Sequence, residues 1–210
     1  MNIVRPPFLV RKVYKDLVWR IKTQEKHIYL SFDDGPIPFV TPWVLDTLSQ
    51  YKAKATFFCV GENVKCNPGI YNRILAENHA VGNHTHNHLN GWKTKTADYL
   101  LNVEECARWT GSSLFRPPYG KLKSAQYKAL KQTYSLIMWD VLSFDYDPDT
   151  SPAACLNNVL SKTREGSIVV FHDSLKAKEN LFYCLPKFLE YFTNKGFCFK
   201  ALSLTAAHSI

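Results

Sequence analysis

Features of membrane-spanning, fibrous and disordered chains are absent from this sequence. The apolar runs are short, such as the four residues from Ile168 to Phe171, whereas a spanning helix needs about 20. Glycine and proline contribute only 9 and 11 of the 210 residues, which excludes collagen-like and low-complexity sequence. With 46% hydrophobic and 21% charged residues, the chain is not expected to be disordered. The length predicts a single domain with a full core.

Two further absences concern export. The six cysteines contain no CxxC pair and no regular spacing, and a chain of this size needs no disulfide to complete its core, so we expect reduced thiols. The first ten residues have neither a continuous apolar stretch nor a small-residue cleavage site, so no signal peptide is predicted. Both features predict a cytoplasmic protein.

The net charge is positive, because 26 basic residues stand against 18 acidic ones. Such a balance favours anionic surroundings. The basic residues are scattered, however, with no run of five, no nucleic-acid motif and no zinc-finger spacing. We therefore expect no nucleic-acid partner and interpret most of the charge as solvated surface.

Residues 1–26 are predicted as a basic amphipathic helix with a short lead-in to the domain. Pro6 and Pro7 can open this helix. Over residues 6–22 the apolar residues fall on one helical face: Val10, Val13, Tyr14, Leu17 and Ile21. Two alternatives stay open: the helix packs against the domain, or it makes peripheral contact with an anionic membrane surface.

Strand-like and helix-like segments alternate over residues 27–210, which we predict to be one catalytic domain. The candidate strands are 28–33, 55–60, 79–83, 113–116, 135–140, 167–172 and 197–201. The candidate helices are 40–51, 68–78, 94–109, 122–133, 152–163 and 181–194. This alternation predicts parallel βα units in one α/β domain. Polar residues follow the strand ends, which share one edge of a parallel sheet, so we expect one site there.

A histidine cluster follows the third predicted strand. His84 and His88 are four residues apart, so on a helical turn both imidazoles face one way, as two ligands of one metal would. His86 points elsewhere on such a turn and is predicted not to bind the metal. A chance pair of exposed histidines is the alternative.

Two adjacent carboxylates, Asp33 and Asp34, end the first predicted strand before a Gly-Pro turn. Neighbouring side chains on a strand point apart, so one aspartate can bind a metal while the other faces substrate. Two histidines and one carboxylate, with a fourth position open, match catalytic zinc sites. A turn capped by aspartate is the plain alternative.

Two further loops carry polar residues. In the segment 116–120, two prolines and a glycine stiffen the loop that holds Arg116, whose guanidinium fork suits a carboxylate. An exposed backbone N–H there can serve an oxyanion, although a rigid loop explains the pattern equally well. The apolar run 168–171 ends in His172 and Asp173, and an aspartate partner would fix the tautomer of such a histidine. The alternative is a histidine that caps a backbone carbonyl.

Together these segments resemble the polysaccharide deacetylase family, also called carbohydrate esterase family four or the NodB homology domain. The resemblance runs from about residue 27 to residue 202. It rests on FDDGP from position 32, HTxxH from 84, RPPYG from 116, the aspartate-aromatic segment around 145 and the apolar run before His172. It implies a distorted, incomplete (β/α) barrel, TIM-barrel-like, of about seven parallel strands. It also implies a hydrolase that removes the N-acetyl group from an amino sugar.

Carried over by position, the resemblance implies a ligand set for a divalent metal, most often zinc: Asp34, His84 and His88. Asp33 would act as the general base on water activated by the metal, with Arg116 as its orienting partner. The backbone N–H of Tyr119 would bind the oxyanion.

The resemblance also implies that His172, tuned by Asp145, acts as the general acid. Two departures from the family pattern occur. Tyr146 stands where the family usually has tryptophan, and Val169 and Phe171 replace the usual leucine and isoleucine before the histidine. We expect these changes to alter the pocket wall around the acetyl methyl, and with it the substrate preference.

The expected substrate is an N-acetylated amino sugar in an oligosaccharide, a polysaccharide or a lipid-linked glycan. A lipid-linked intermediate would reconcile the missing signal peptide with the basic N-terminal helix. Trp92 is predicted to stack on a sugar ring, and a core position is the alternative. Two other functions stay open: a pseudo-enzyme that binds glycans without turnover, and a hydrolase of non-sugar amides or imides.

Overall fold

Parallel strands form one curled sheet in the computed structural model, which describes residues 3–203. The strands are β1 (His27–Asp33), β2 (Thr56–Cys59), β3 (Ala80–Asn83), β4 (Leu114–Phe115), β5 (Ser135–Leu136), β6 (Val141–Leu142), β7 (Ile168–His172) and β8 (Cys198–Lys200). Seven of them follow the order β5-β4-β3-β2-β1-β7-β6, and β8 pairs with the start of β1. The predicted α/β fold with an incomplete barrel of parallel strands is confirmed.

Helices cover the outer face of this sheet. They are α1 (Phe8–Val13), α2 (Val40–Gln50), α3 (Gly61–Cys66), α4 (Pro68–Ala76), α5 (Thr96–Thr110), α6 (Ser124–Leu130), α7 (Pro152–Lys162) and α8 (Lys178–Asn194). The short elements α3 and β6 were not predicted from the sequence. Within residues 3–203, no helix combines the length and the apolar character needed to cross a membrane.

The central strand β1 separates an apolar face from a polar one, because its side chains alternate. Phe32 points towards the helices, where its ring centroid lies 5.1 Å from that of Phe57 and 6.1 Å from that of Phe171. Ser31 and Asp33 point to the inner face, and both are buried. The hydrophobic core therefore lies between sheet and helices, while the inner face of the barrel holds buried polar groups.

The prediction of one amphipathic helix over residues 6–22 is wrong. Only Phe8–Val13 is helical, and none of its residues is buried. A turn at residues 14–16 and a bend at Leu17 follow, and the chain is then extended from Val18 and fills the gap between β5 and β7. Val18 forms a parallel bridge with Ile137, and Arg20 an antiparallel bridge with Ser167. Ile21 of the predicted helical face is buried together with Val18, which was not on that face, because the extended segment completes the barrel wall with backbone hydrogen bonds. The predicted domain boundary at residue 27 stays a prediction.

This arrangement predicts different effects for two apolar residues that the single helix would place on one face. Ile21, 3% exposed, is in the core, whereas Val13 is 73% exposed. Ile21→Ala is expected to lower the free energy of unfolding by about 2–5 kcal/mol, because it leaves a cavity. Val13→Ala should change it by less than about 0.5 kcal/mol. Urea denaturation measures both, and equal losses would contradict the extended conformation of residues 18–21.

Candidate active site

The polar residues predicted from the strand ends meet at the carboxyl edge of the sheet. Asp33 ends β1, His84 follows β3, Arg116 follows β4, Asp145 follows β6 and His172 ends β7. β1 lies beside β7, and Asp33 is directly opposite His172 in the register. The parallel topology therefore gathers residues more than 130 positions apart into one site.

The Arg116 side chain lies inside the barrel with no exposed surface and forms an ion pair with Asp33. Its Nη1 donates to Asp33 Oδ1 at 2.6 Å and to Ser31 Oγ at 2.8 Å. Nη2 donates to the Met138 carbonyl at 2.9 Å, and the guanidinium carbon lies 4.1 Å from the centroid of the Phe58 ring. With its donors occupied in this way, the guanidinium holds one carboxylate oxygen of Asp33 in a fixed position.

Asp34, His84 and His88 bring their ligand atoms within 4.8 Å of one another. Asp34 Oδ1 lies 3.1 Å from His88 Nε2 and 3.7 Å from His84 Nε2. The Nδ1 atom of His84 is 2.8 Å from the Arg116 carbonyl, which can only accept, so this nitrogen carries the proton. Burial lowers the pKa of His84 to about 4. The neutral imidazole therefore presents the Nε2 lone pair to Asp34 and His88, as a metal ligand must.

The histidine segment converges without the predicted helical turn, so that part of the prediction is wrong. Residues 84–90 form an irregular loop in which Thr85 and His88 have φ angles of 63° and 54°. Two asparagines hold this loop: Asn83 Oδ1 accepts from the Thr85 N–H at 2.9 Å, and Asn102 Oδ1 accepts from the His86 N–H at 2.8 Å. His86 is not among the side chains whose ligand atoms converge, and its exclusion from metal binding stays a prediction.

His172 is held by Asp145 through both its ring and its backbone. His172 Nδ1 lies 2.7 Å from Asp145 Oδ1, and the His172 backbone N–H donates to Asp145 Oδ2 at 2.7 Å. Ser143 Oγ donates to Asp145 Oδ1 at 2.8 Å. Burial lowers the pKa of His172, but Asp145 and the two aspartates at the end of β1 outweigh it and raise the pKa to about 9. Because Nδ1 is occupied, Nε2 is the atom that can exchange a proton with a substrate.

Two tyrosines flank the site. The Tyr119 ring is exposed and lies 4.8 Å from the His88 ring, and φ at Tyr119 is 61°. Its backbone N–H has no hydrogen-bond partner among residues 3–203, so it can donate to a ligand. Tyr146 packs edge-on against His172, with ring centroids 4.7 Å apart.

The prediction that Val169 and Phe171 alter the pocket wall is wrong. Alternation along β7 turns both side chains to the outer face, where they are buried in the core beneath the helices. Phe171 contacts Phe188 of α8 with ring centroids 5.8 Å apart. Of the three residues that depart from the family pattern, only Tyr146 borders the site.

Trp92 lies at the surface rather than in the core. Its side chain is exposed, its Nε1 donates to the Leu122 carbonyl at 3.1 Å, and Lys121 Nζ lies 5.1 Å from the ring centroid. A sugar-stacking role for this residue stays a prediction.

Asp173 supports the loop that follows β1, a role that the sequence motifs did not indicate. Its carboxylate accepts from the Gly35 N–H at 3.0 Å and from Thr41 Oγ1 at 2.6 Å, and burial raises its pKa to about 7. A Cβ at Gly35 would overlap the Asp173 carboxylate, so glycine is required there. Asp173 thereby fixes the turn that carries Asp34. The His-Asp pair at the end of β7 drew attention to Asp173, but the sequence did not indicate that Asp173 binds the turn at Gly35.

Left-handed backbone conformations concentrate in the loops of the site. Eight non-glycine residues between positions 3 and 203 have positive φ, and five of them lie there: Asp34, Thr85, His88, Tyr119 and Phe144. Such conformations are costly for residues with a side chain and cluster where a site must be held in one geometry. They position ligands that a regular helix or strand could not bring together.

Comparison with known proteins finds polysaccharide deacetylases similar to this chain. Residues 20–135 match the protein family described as polysaccharide deacetylase. The peptidoglycan-N-acetylglucosamine deacetylase of Bacillus cereus is 35% identical over 197 residues, which cover 89% of this chain and 91% of that protein. The chitooligosaccharide deacetylase of a Bradyrhizobium species is 33% identical over 178 residues, covering 80% of this chain and 78% of that protein.

A solved structure gives the same picture. The crystal structure of Bc1960 peptidoglycan N-acetylglucosamine deacetylase in complex with 4-naphthalen-1-yl-N-oxidanyl-benzamide has a TM-score of 0.82 and 31% sequence identity. The similarity covers 94% of this chain and 95% of that chain.

The His172–Asp145 pair predicts a measurable titration. In the metal-free protein, NMR should show His172 protonated up to its pKa of about 9, well above the ordinary 6.5. The pair therefore stabilises the fold fully below about pH 6.5, and this stabilisation is lost as the pH rises through 9. Asp145→Asn removes the carboxylate and should lower the pKa of His172.

His79 provides an internal control for this titration, because burial away from the site lowers its pKa to about 4. Its titration should be the same in both proteins. An unchanged pKa of His172 in Asp145→Asn would contradict the role of the pair.

Proposed function

The chain belongs to the polysaccharide deacetylase family, and on this premise we propose that it hydrolyses the N-acetyl group of an amino sugar within a glycan. The observation that carries the proposal is the convergence of three groups at one edge of the sheet. These are a candidate metal triad, a carboxylate held by Arg116 and an imidazole held by Asp145. The named relatives act on peptidoglycan or chitooligosaccharide, which supports a glycan containing N-acetylglucosamine as substrate.

A divalent ion would be held by Asp34, His84 and His88. Two imidazoles and one carboxylate are a donor set that zinc accepts, and the tautomer of His84 leaves its Nε2 lone pair facing the other two ligands. When bound, such an ion lowers the pKa of a coordinated water and polarises the acetyl carbonyl.

Asp33 acts as the general base in this proposal. Arg116 occupies its Oδ1, so Oδ2 is the oxygen that accepts a proton from the attacking water. The water oxygen forms a bond with the acetyl carbonyl carbon as Asp33 takes that proton. Since Arg116 is itself fixed by Ser31 and by backbone carbonyls, the carboxylate needs no reorientation during the step.

Collapse of the tetrahedral intermediate requires an oxyanion donor and an acid. The Tyr119 backbone N–H donates to the oxyanion, and His172 donates its Nε2 proton to the sugar nitrogen as the C–N bond breaks. Acetate and a free amino sugar are the products. Asp145 keeps His172 protonated at neutral pH, because its negative charge raises the pKa to about 9 against the effect of burial.

Acetate release from a panel of N-acetylated glycans tests this function. The panel contains chitin oligomers, peptidoglycan fragments and lipid-linked amino sugars, together with a non-sugar amide and a cyclic imide. Release from at least one glycan class that stops with chelator and returns with zinc is expected. Glycan binding without acetate release would indicate a pseudo-enzyme. Turnover of the amide or imide alone would indicate a hydrolase of non-sugar amides or imides.

Substitution of the two adjacent aspartates should have different effects on turnover and on zinc content. Asp33→Asn is expected to lower kcat by about 10²–10⁴-fold, as the loss of a general base does. Zinc content measured by mass spectrometry should stay that of the unmodified protein. Asp34→Asn should lose zinc. Loss of zinc in Asp33→Asn with retention in Asp34→Asn would reverse the two assignments.

A further inference from the structure

A short segment near the amino terminus projects from the domain between two backbone anchors. The Val4 carbonyl accepts from the Leu142 N–H at 2.9 Å, and the Val18 N–H donates to the Leu136 carbonyl at 2.9 Å. Between these anchors lie residues 5–17, of which residues 5–15 contain α1 and are here called the N-terminal finger. The finger is therefore fastened at both ends and displays its side chains in a defined orientation.

The finger turns its two arginines inward and apolar side chains of α1 outward. Arg5 and Arg11 contact the buried carboxylate of Asp140, with nitrogen–oxygen distances of 3.1 and 3.3 Å. Leu9 and Val13 are each two positions from Arg11, so they lie on the opposite side of α1 at 100° per residue. An ordinary surface helix has the reverse arrangement, with the apolar side towards the core.

The outward side is an apolar patch. Leu9 and Val13, 72% and 73% exposed, lie about 40° apart around α1. Phe8, 68% exposed, begins the helix next to Leu9. Isolated exposed apolar residues are common, but a cluster held out from the domain marks a surface for an apolar partner.

The charges of the finger identify the partner. Residues 5–15 contain no acidic residue, and Asp16, which follows them, is paired with Lys131 at 3.2 Å. Lys12 and Lys15 lie next to the apolar patch. Neither lysine forms a salt bridge with any residue from 3 to 203. Apolar side chains bordered by lysines fit the interface of an anionic bilayer, where the apolar groups enter between headgroups and the lysines meet phosphates. A second copy of the chain would bring like charges together.

We propose that the N-terminal finger binds the surface of an anionic lipid bilayer. Asp140 directly precedes β6, so the finger is fastened at the amino edge of the sheet, opposite the candidate active site. The catalytic edge then faces away from the bilayer, towards glycan that extends from the surface. This inference goes beyond the proposed deacetylation and does not depend on it.

Co-sedimentation of the full chain with unilamellar vesicles tests the proposal. One set contains phosphatidylcholine with phosphatidylglycerol, and the other contains phosphatidylcholine alone. The protein should bind the anionic vesicles and not the neutral ones. The triple variant Phe8→Ser/Leu9→Ser/Val13→Ser and the double variant Lys12→Glu/Lys15→Glu should each bind at least tenfold more weakly, since each lysine near such a surface contributes about fivefold.

The matched control is Leu75→Ser/Leu101→Ser, which removes two exposed leucines from α4 and α5 and should bind like the unmodified protein. Thermal melting checks that every variant stays folded. The proposal would be overturned if the protein did not bind anionic vesicles, or if the finger variants bound them as tightly as the unmodified protein. A dimer in light scattering that the triple variant abolishes would also overturn it.

Discussion

The buried guanidinium of Arg116 is the group on which the arrangement of the barrel interior depends. A charge without exposed surface is tolerated only when it is paired and its donors are satisfied. Asp33 supplies the opposite charge at 2.6 Å, and Ser31 and the Met138 carbonyl accept the remaining hydrogen bonds. The Met138 N–H in turn donates to the Val18 carbonyl at 2.8 Å. The segment that completes the barrel wall and the proposed general base are therefore parts of one hydrogen-bond network.

The same principle operates with reversed charge on the neighbouring strand. There, a buried carboxylate, Asp145, holds an imidazole, whereas on β1 a buried guanidinium holds a carboxylate. Each support lies deeper than the group it holds, and each fixes one atom of that group, leaving Asp33 Oδ2 and His172 Nε2 for proton transfer. Removing one partner of a buried pair costs about 3–5 kcal/mol because the other charge is left uncompensated. The fold and the proposed chemistry thus rely on the same two pairs.

Prediction from the sequence succeeded where local pattern and topology agree. Alternating segments with buried strands gave the α/β class, and the shared edge of parallel strands explains why the Asp33, Arg116 and His172 loops meet. Prediction failed where one sequence pattern is compatible with two structures. The apolar spacing from Val10 to Ile21 suits a helix, but Val18 instead forms backbone hydrogen bonds with residues 136–138.

The geometry of the metal triad was also beyond the sequence. Spacing of four residues suggested a helical turn, whereas His84 and His88 converge through a loop with left-handed residues that two asparagines hold. Residues other than glycine rarely adopt such conformations, so the sequence does not predict them at Thr85 and His88. The outward direction of Phe171 was, by contrast, available from strand alternation with His172 facing inward.

The pH dependence of kcat/KM for acetate release from an N-acetylated glycan tests the central claim most directly, namely that two buried partners set a base and an acid in one site. The account predicts a bell-shaped profile whose basic limb moves to lower pH in Asp145→Asn, because the pKa of His172 falls, while the acidic limb stays in place. A basic limb that does not move would contradict the assignment of His172 as the acid that Asp145 controls.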